Sequence, residues 1–493
     1  MNKFLSIGLS AILLLLFNSC VKNPVTGQRD FMLMSKEQEI AMGQQSDPDI
    51  VNQFGLYEDK KLQQFIQDKG QQMAAISHRP DIKYEFKIVD SPVVNAFAVP
   101  GGYVYFTRGI MAYFNNEAQF AGVLGHETGH ITARHSAKQY SKSVIAQLGL
   151  VVGMVVSPQL AQYGELAQEG VGLLFLKFGR DAERQADELG VEYSTKIGYN
   201  AQYMGDFFNT LDRMGKQSDA ESVPTFLSTH PDPANRFETV HKLAAEWQKK
   251  LNLTTADLKV NRNAYLKLID GIVYGEDPKQ GFVEANTFYH PVMKFQHPVP
   301  KGWLVQNSPQ QLQMSPTNGK ALMVLSLAPV KSLAEAAQQV VEKNQLKVVE
   351  SKNLLVNGLT AVAIVADQQQ QSPPQPSQQQ TQAQPAVRAL IYLIEYGGNI
   401  YNLMGISAAT DFSTYYPTFN STMNNFRELT DQAKINKKPD RIRIKTVRKQ
   451  GTLAEAFKDY KVKEDKMKEL AILNGMELKD KVSPGLLIKV FEK

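Results

Sequence analysis

One cysteine, Cys20, is all that 493 residues contain, so no disulfide can form within the chain. Neither sign of charge dominates: 54 Lys and Arg against 49 Asp and Glu leave a net +5. That balance argues against nucleic acid as a partner. The local exception runs from Lys434 to Lys449, and it reads as a solvated linker and strand edge or as a surface for an acidic partner. Long apolar runs are missing too. The two longest, Ile7–Phe17 and Val144–Val156, are too short to span a bilayer. The second reads as a buried or lid-forming helix, with contact to a membrane surface as the alternative. Histidine is scarce at eight residues, yet three fall between positions 126 and 135.

The N-terminal "MNKFLSIGLSAILLLLFNSC" has a positive start at Lys3, an apolar run and then small polar residues, the pattern of an export signal over residues 1–19. Cys20 at its end resembles the lipidated cysteine of a bacterial lipoprotein. Phe17 and Asn18 depart from the usual residues at those positions, and ordinary secretion is the alternative.

At about 150 residues per domain the length suggests roughly three. Ser35 and Gln38 form a capping box ahead of Ile40 and Met42. "DIKYEFKIVD" alternates like a strand, and "NAFAVPGGYVYFTRG" reads strand, turn, strand. Asn116, with Gln119 as its reciprocal partner, caps the next helix. After residue 252 "FQHPVPKGWLVQ", "KALMVLSLAPV" and "TAVAIVAD" read as strands and "SLAEAAQQVVEKNQ" as a helix, an α/β domain over 253–430. Its element order is similar to that of PsbP. The polar Gln/Pro tract 367–385 lies between two strand-like runs and reads as a disordered hairpin tip. A basic linker, 431–440, leads to 441–493, whose strand–helix–helix–strand pattern resembles a LysM module. Thr452-Leu453, Leu470, Asn474-Gly475 and Pro484-Gly485 carry that likeness, while Gln450-Gly451 stands where Gly-Asp is usual. Such a module binds peptidoglycan or serves as a structural cap.

The helix entered at Asn116 carries His126, Glu127 and His130, an H-E-x-x-H pattern. Residues i and i+4 lie about 40° apart around a helix, so two imidazoles converge on one Zn²⁺, and Glu127 sits beside it as a general base. Gly122, Gly125 and Gly129 in this helix suggest close packing against it. His135, five residues after His130, would point away and take a structural role. A catalytic zinc needs a third protein ligand. In "FGRDAERQADELGVEY" Glu183 and Asp187 share a helix face, so Glu183 would ligate and Asp187 would accept an N–H from a ligand histidine. Without the upstream motif this segment would read as a charged surface helix.

"HETGH", "AERQADELG", "NAFAVPGG" and "FLSTHPDPANR", in that order, resemble the HtpX/CAAX-prenyl-protease family of zinc metalloendopeptidases, a gluzincin group. "NPVTG…FMLMSKEQEIAMGQQ" is similar to its BepA-like periplasmic lipoprotein branch. The likeness covers roughly Asn23–Trp247; the helical repeats of that branch have no counterpart further on. Thr128 replaces a common aliphatic residue on the side away from the metal. The resemblance implies one Zn²⁺ held by His126, His130 and Glu183, with Glu127 as base. It implies that His230 and Arg236 approach the site, His230 either taking the fourth zinc position or assisting the transition state. It also implies an edge strand at Asn95, Ala96, Phe97 and Ala98 that pairs with extended substrate.

The expected protein is therefore α+β and multidomain: a mainly helical zincin-type domain with a small sheet over 20–252, the α/β domain, then the LysM-like module. Its expected partners are unfolded or misassembled envelope polypeptides, the membrane through a lipid on Cys20, and peptidoglycan. The expected location is the periplasmic face of the outer membrane, with soluble periplasm or cell surface as the alternative. The rival reading is a non-proteolytic assembly factor or cell-wall scaffold with a silent metal site.

Overall fold

The computed structural model describes residues 20–142, 178–217, 225–230, 236–368 and 387–493. The export signal, the apolar run 144–156, residues 231–235 and most of the Gln/Pro tract lie outside them. Two compact units make up the chain: Met1–Gly275 with Asp440–Lys493, and Glu276–Pro439.

In the first unit, short strands β1 (Cys20–Lys22) and β2 (Arg29–Phe31) pair antiparallel. The Ser35 hydroxyl accepts from the Gln38 amide while Gln38 Oε1 accepts from that of Ser35. That box starts α1 (Lys36–Phe54). Helix α2 (Lys60–Ile76) begins at Asp59, whose carboxylate takes the amides of Lys61 and Leu62. Next come β3 (Glu85–Val89), β4 (Ala96–Val99) and β5 (Tyr103–Thr107), a sheet in the order β3–β5–β4. The Pro-Gly-Gly turn between β4 and β5 puts Gly102 at φ 107°, where an added Cβ would meet the Lys83 carbonyl.

A short α3 (Arg108–Tyr113) then delivers the chain to α4 (Glu117–Thr132), every residue of which is buried. A helix buried all round belongs at the centre of a unit. Asn116 caps it by accepting from Gln119, but Gln119 Oε1 returns to the amide of Asn115, one residue earlier than the expected reciprocal partner. Against α4 lie α5 (Arg180–Lys196) and α6 (Gln202–Gln217). The glycines let them approach: a Cβ on Gly125 would sit 2.8 Å from the Gly190 carbonyl oxygen, and one on Gly122 2.5 Å from Met204 Cβ. Short α7 (Thr225–Thr229), α8 (Arg236–Lys250), α9 (Arg262–Leu268) and β6 (Val273–Tyr274) follow.

The second unit holds a small sheet of β7 (Phe282–Glu284), β8 (Thr287–His290), β9 (Phe295–Pro298) and the later β17 (Arg427–Glu428). Its large sheet runs β10 (Trp303–Asn307), β11 (Gln311–Pro316), β12 (Ala321–Ala328), β16 (Asn399–Ala408), β15 (Val387–Tyr396), β14 (Leu359–Gln368), β13 (Leu346–Val356), antiparallel at each step. Helix α10 (Leu333–Lys343) covers one face with Ala336 and Val340, and α11 (Phe412–Asn424) covers the other with Phe412, Phe419 and Met423. Buried on both faces, the middle of β15, residues 389–394, is an unbroken apolar run. The Gln/Pro tract joins β14 to its neighbour β15. A one-turn helix α12 (Gln432–Ile435) stands where the basic linker was expected.

The C-terminal segment forms β18 (Asp440–Thr446), β19 (Gly451–Thr452), α13 (Leu453–Asp459), α14 (Glu464–Leu473), β20 (Lys481–Val482) and β21 (Leu487–Glu492). It is no separate body. Strand β18 pairs with β21 and with β6, and Phe457, Leu470 and Ile488 share one core with Phe114, Phe120 and Tyr265. That shared core also draws α9 and β6 into the first unit, so the units divide at Gly275 rather than at residue 252. Lys489, fully buried, donates from Nζ to the carbonyls of Ala112 (2.8 Å), Phe114 (2.7 Å) and Leu473 (3.0 Å). Burial pushes its ammonium well below the ordinary lysine range, yet three carbonyls meet the three donors of a charged lysine.

Candidate metal centre

Helix α4 presents His126 and His130 one turn apart, with Nε2 atoms 3.0 Å from each other. Glu183, in the first turn of α5, reaches between them: Oε2 lies 3.6 Å from His126 Nε2 and Oε1 3.5 Å from His130 Nε2. His230, directly after α7, brings Nδ1 to 3.1 Å from both Glu183 oxygens and 3.2 Å from His126 Nε2. These four buried residues offer donor atoms within 4.8 Å of one another. Two donors each about 2.0–2.1 Å from one tetrahedral ion lie roughly 3.3–3.4 Å apart, so the spacing fits zinc or a similar ion.

Glu127 stands beside this cluster. Its Oε1 is buried without a hydrogen-bond partner and lies 3.6 Å from His230 Nε2. A buried carboxylate oxygen left unmatched marks a place where a further polar group belongs. Burial pushes the Glu127 carboxyl above its ordinary range, against the pull of His230 and His126. For Glu183 burial acts the same way, but His230, His126 and Arg236 outweigh it and hold the group below its usual value.

Around the donors a supporting layer fixes the rings. His126 Nδ1–H donates to Asp187 Oδ1 at 2.9 Å. Arg236 donates to both Asp187 oxygens, Nε to Oδ2 at 2.8 Å and Nη2 to Oδ1 at 2.6 Å, and its guanidinium lies 3.8 Å above the Phe208 ring. Arg236 thus supports the site through Asp187. Phe226 stacks on His230 and its amide donates to the Val94 carbonyl, tying α7 to the residues entering β4. Strand β4 lies at an edge of its sheet and packs on α4; Asn95, Ala96 and Phe97 are buried and Ala98 half-buried.

His135 does not point away as i+5 spacing on an unbroken helix implies. Helix α4 stops at Thr132, Arg134 takes a left-handed φ of 58°, and residues 135–142 start a new helix. The turn brings His135 Nδ1 to 2.9 Å from His130 Nδ1. Gln185 and Phe178, singled out by nothing in the sequence, also belong here: Gln185 Oε1 is 3.0 Å from His135 Nε2, and Phe178 stacks on the His130 ring. Burial pushes the His135 imidazole down to about 4. Thr128 turns its hydroxyl to the Leu124 carbonyl and takes no part in the donor cluster.

Paired histidines and a glutamate on one helix, with a third donor on the helix crossing it, form a buried H-E-x-x-H donor set. Residues 60–244 match the model of Peptidase family M48. It is 31% identical over 207 residues to the mitochondrial metalloendopeptidase OMA1 of Arabidopsis thaliana, which covers 41% of this chain and 40% of that one. To the beta-barrel assembly-enhancing protease of Escherichia coli it is 29% identical over 236 residues, 45% of this chain and 47% of that one. The chain thus spans about half the length of these curated relatives or less. The solution structure of PsbP from Synechocystis aligns with 29% of this chain and 91% of its own, at 9% identity and a TM-score of 0.22.

Proposed function

We propose that the protein is a zinc-dependent endopeptidase that cleaves unfolded or misassembled polypeptides of the cell envelope. The observation that carries this reading is the unmatched Glu127 carboxylate beside four convergent donors within the stretch that matches the M48 model. His126, His130 and Glu183 would hold the ion. A zinc bound there supplies Lewis acidity, polarising the scissile carbonyl and making a water acidic enough to lose a proton near neutral pH. Glu127 takes that proton at Oε1 as the water oxygen adds to the carbonyl carbon, then gives it to the amine nitrogen as the C–N bond breaks. Burial raises the proton affinity of Glu127, which makes its carboxylate a stronger base for that transfer. Strand β4, at the edge of its sheet among the described residues, would pair with an extended substrate backbone. With His230 Nδ1 as a fourth donor, substrate entry would have to displace the His230 ring.

The envelope assignment rests on the signal-like N-terminus, on Cys20 and on the E. coli relative whose name describes barrel assembly. A lipid on Cys20 would place the protein on the outer membrane; among the described residues no helix is long and apolar enough to cross one. The LysM-like segment serves chiefly as a structural part of the peptidase unit, a role supported by its shared core and by Lys489.

Casein cleavage by the protein without residues 1–19, lost on adding a chelator and restored by zinc, tests the activity. Chelator-insensitive cleavage, or none with zinc bound, refutes it. Cys20→Ser in the full chain should move the protein from the membrane to the soluble fraction, and a wild type already soluble would end the lipoprotein reading.

A further inference from the structure

The two histidines of α4 are supported in different ways, and the second way constrains where protons sit. His126 leans on a carboxylate, Asp187, an acceptor whatever the histidine does. His130 leans on another imidazole. Its Nδ1 lies 2.9 Å from His135 Nδ1, and His135 Nε2 lies 3.0 Å from Gln185 Oε1. Both histidines are nearly inaccessible, at 1% and 4% exposure, so water does not substitute for either contact.

Two facing ring nitrogens at that distance share one proton, one donating and the other accepting. His130 Nε2 belongs to the donor cluster and must be bare to bind a cation, so a neutral His130 carries its proton on Nδ1. His135 Nδ1 must then accept, which puts the His135 proton on Nε2, facing the amide oxygen of Gln185. Turned the other way, with the Gln185 amide nitrogen donating, the chain would drive a proton onto His130 Nε2 and close the site to metal.

We infer that His135 and Gln185 are positioning residues that hold His130 in its Nδ1–H tautomer through a one-way hydrogen-bond chain, an inference that rests on the metal-site reading above. The backbone is built for it. Arg134 adopts the left-handed conformation that brings His135 round, and it stays there because Nε donates to Glu39 (2.8 Å) and Nη2 to the Met34 carbonyl (2.9 Å). Arg79 holds the same Glu39 from the other side and donates to the Ile131 carbonyl at the end of α4. The arm also adds no negative charge, whereas Asp187 adds one.

The test is zinc affinity, by competition with a chelator of known affinity, in wild type, His135→Phe and His135→Gln. His135→Phe should bind zinc about 10–100-fold more weakly, the usual cost of losing such a support. His135→Gln, whose amide oxygen can accept from His130, should recover most of that loss, which a packing role for His135 would not allow. Histidine-labelled NMR of the zinc-loaded wild type should find His135 protonated at Nε2, and it decides the matter if His135→Phe does not fold. Affinity of a folded His135→Phe within about threefold of wild type, or a His135 proton on Nδ1, overturns the inference while the metal site stands. A wild type that binds no zinc overturns both.

Discussion

Glu127 and Glu183 are carboxylates on crossing helices whose surroundings push them in opposite directions, and the contrast separates their roles. Glu127 is held toward its protonated form by burial, while His230, His126 and Arg236 keep Glu183 ionised. Glu127→Gln should therefore keep zinc, as measured by mass spectrometry, and lose peptide hydrolysis by at least about 10²–10⁴-fold. Glu183→Ala should lose zinc first, with activity following occupancy; full zinc retention would remove Glu183 from the ligand set. His230 poses a question of sign. With Nδ1 among the donors and Nε2 toward Glu127, it rests as a fourth donor, and His230→Ala should raise basal casein cleavage and self-cleavage. A fall of about 10²–10³-fold would instead make it a stabiliser of the oxyanion.

Among the elements, α4 and α5 set the site because they cross at glycines. A Cβ on Gly125 would lie 2.8 Å from the Gly190 oxygen and 3.0 Å from Gly190 Cα, and neither backbone atom can yield without moving Glu183. Gly125→Ala should cost about 1–3 kcal/mol of stability and weaken zinc binding more than a surface Gly→Ala, both read from melting curves with and without metal. Much at this scale was legible in the sequence. The H-E-x-x-H spacing, the Glu183–Asp187 pair and the Ser35–Gln38 box are local patterns with local physics, and strands β3, β4 and β5 follow from alternation and a Pro-Gly-Gly turn. His230 and Arg236 were visible only through family likeness, because a polar turn entering a helix carries no signal of its own. His135 was misplaced because the i+5 argument assumes an unbroken helix. The break at Arg134 depends on Glu39, some 95 residues away, which no local pattern reports.

For the whole molecule, a segment with its own strand–helix–helix–strand pattern looked detachable and is not. Nothing in "LIKVFE" marks Lys489 as buried, since a lysine on an alternating strand is ordinarily a solvent-facing residue. Here it closes the carbonyls of Ala112 and Phe114, just ahead of the helix that bears the histidines. Lys489→Met should leave those acceptors buried and unmatched, at about 1–3 kcal/mol each. The melting temperature should drop sharply and zinc binding should suffer with it. An unchanged melting temperature would mean that the C-terminal segment is an accessory after all. The same contact sets a schedule. Lys489 stands 377 positions after Ala112, and a ribosome adding about 5–20 residues per second needs on the order of 20–80 s to cover that distance. Throughout that interval α4 lacks this support, so a chain halted short of Lys489 carries its donor residues in a frame that has never been finished.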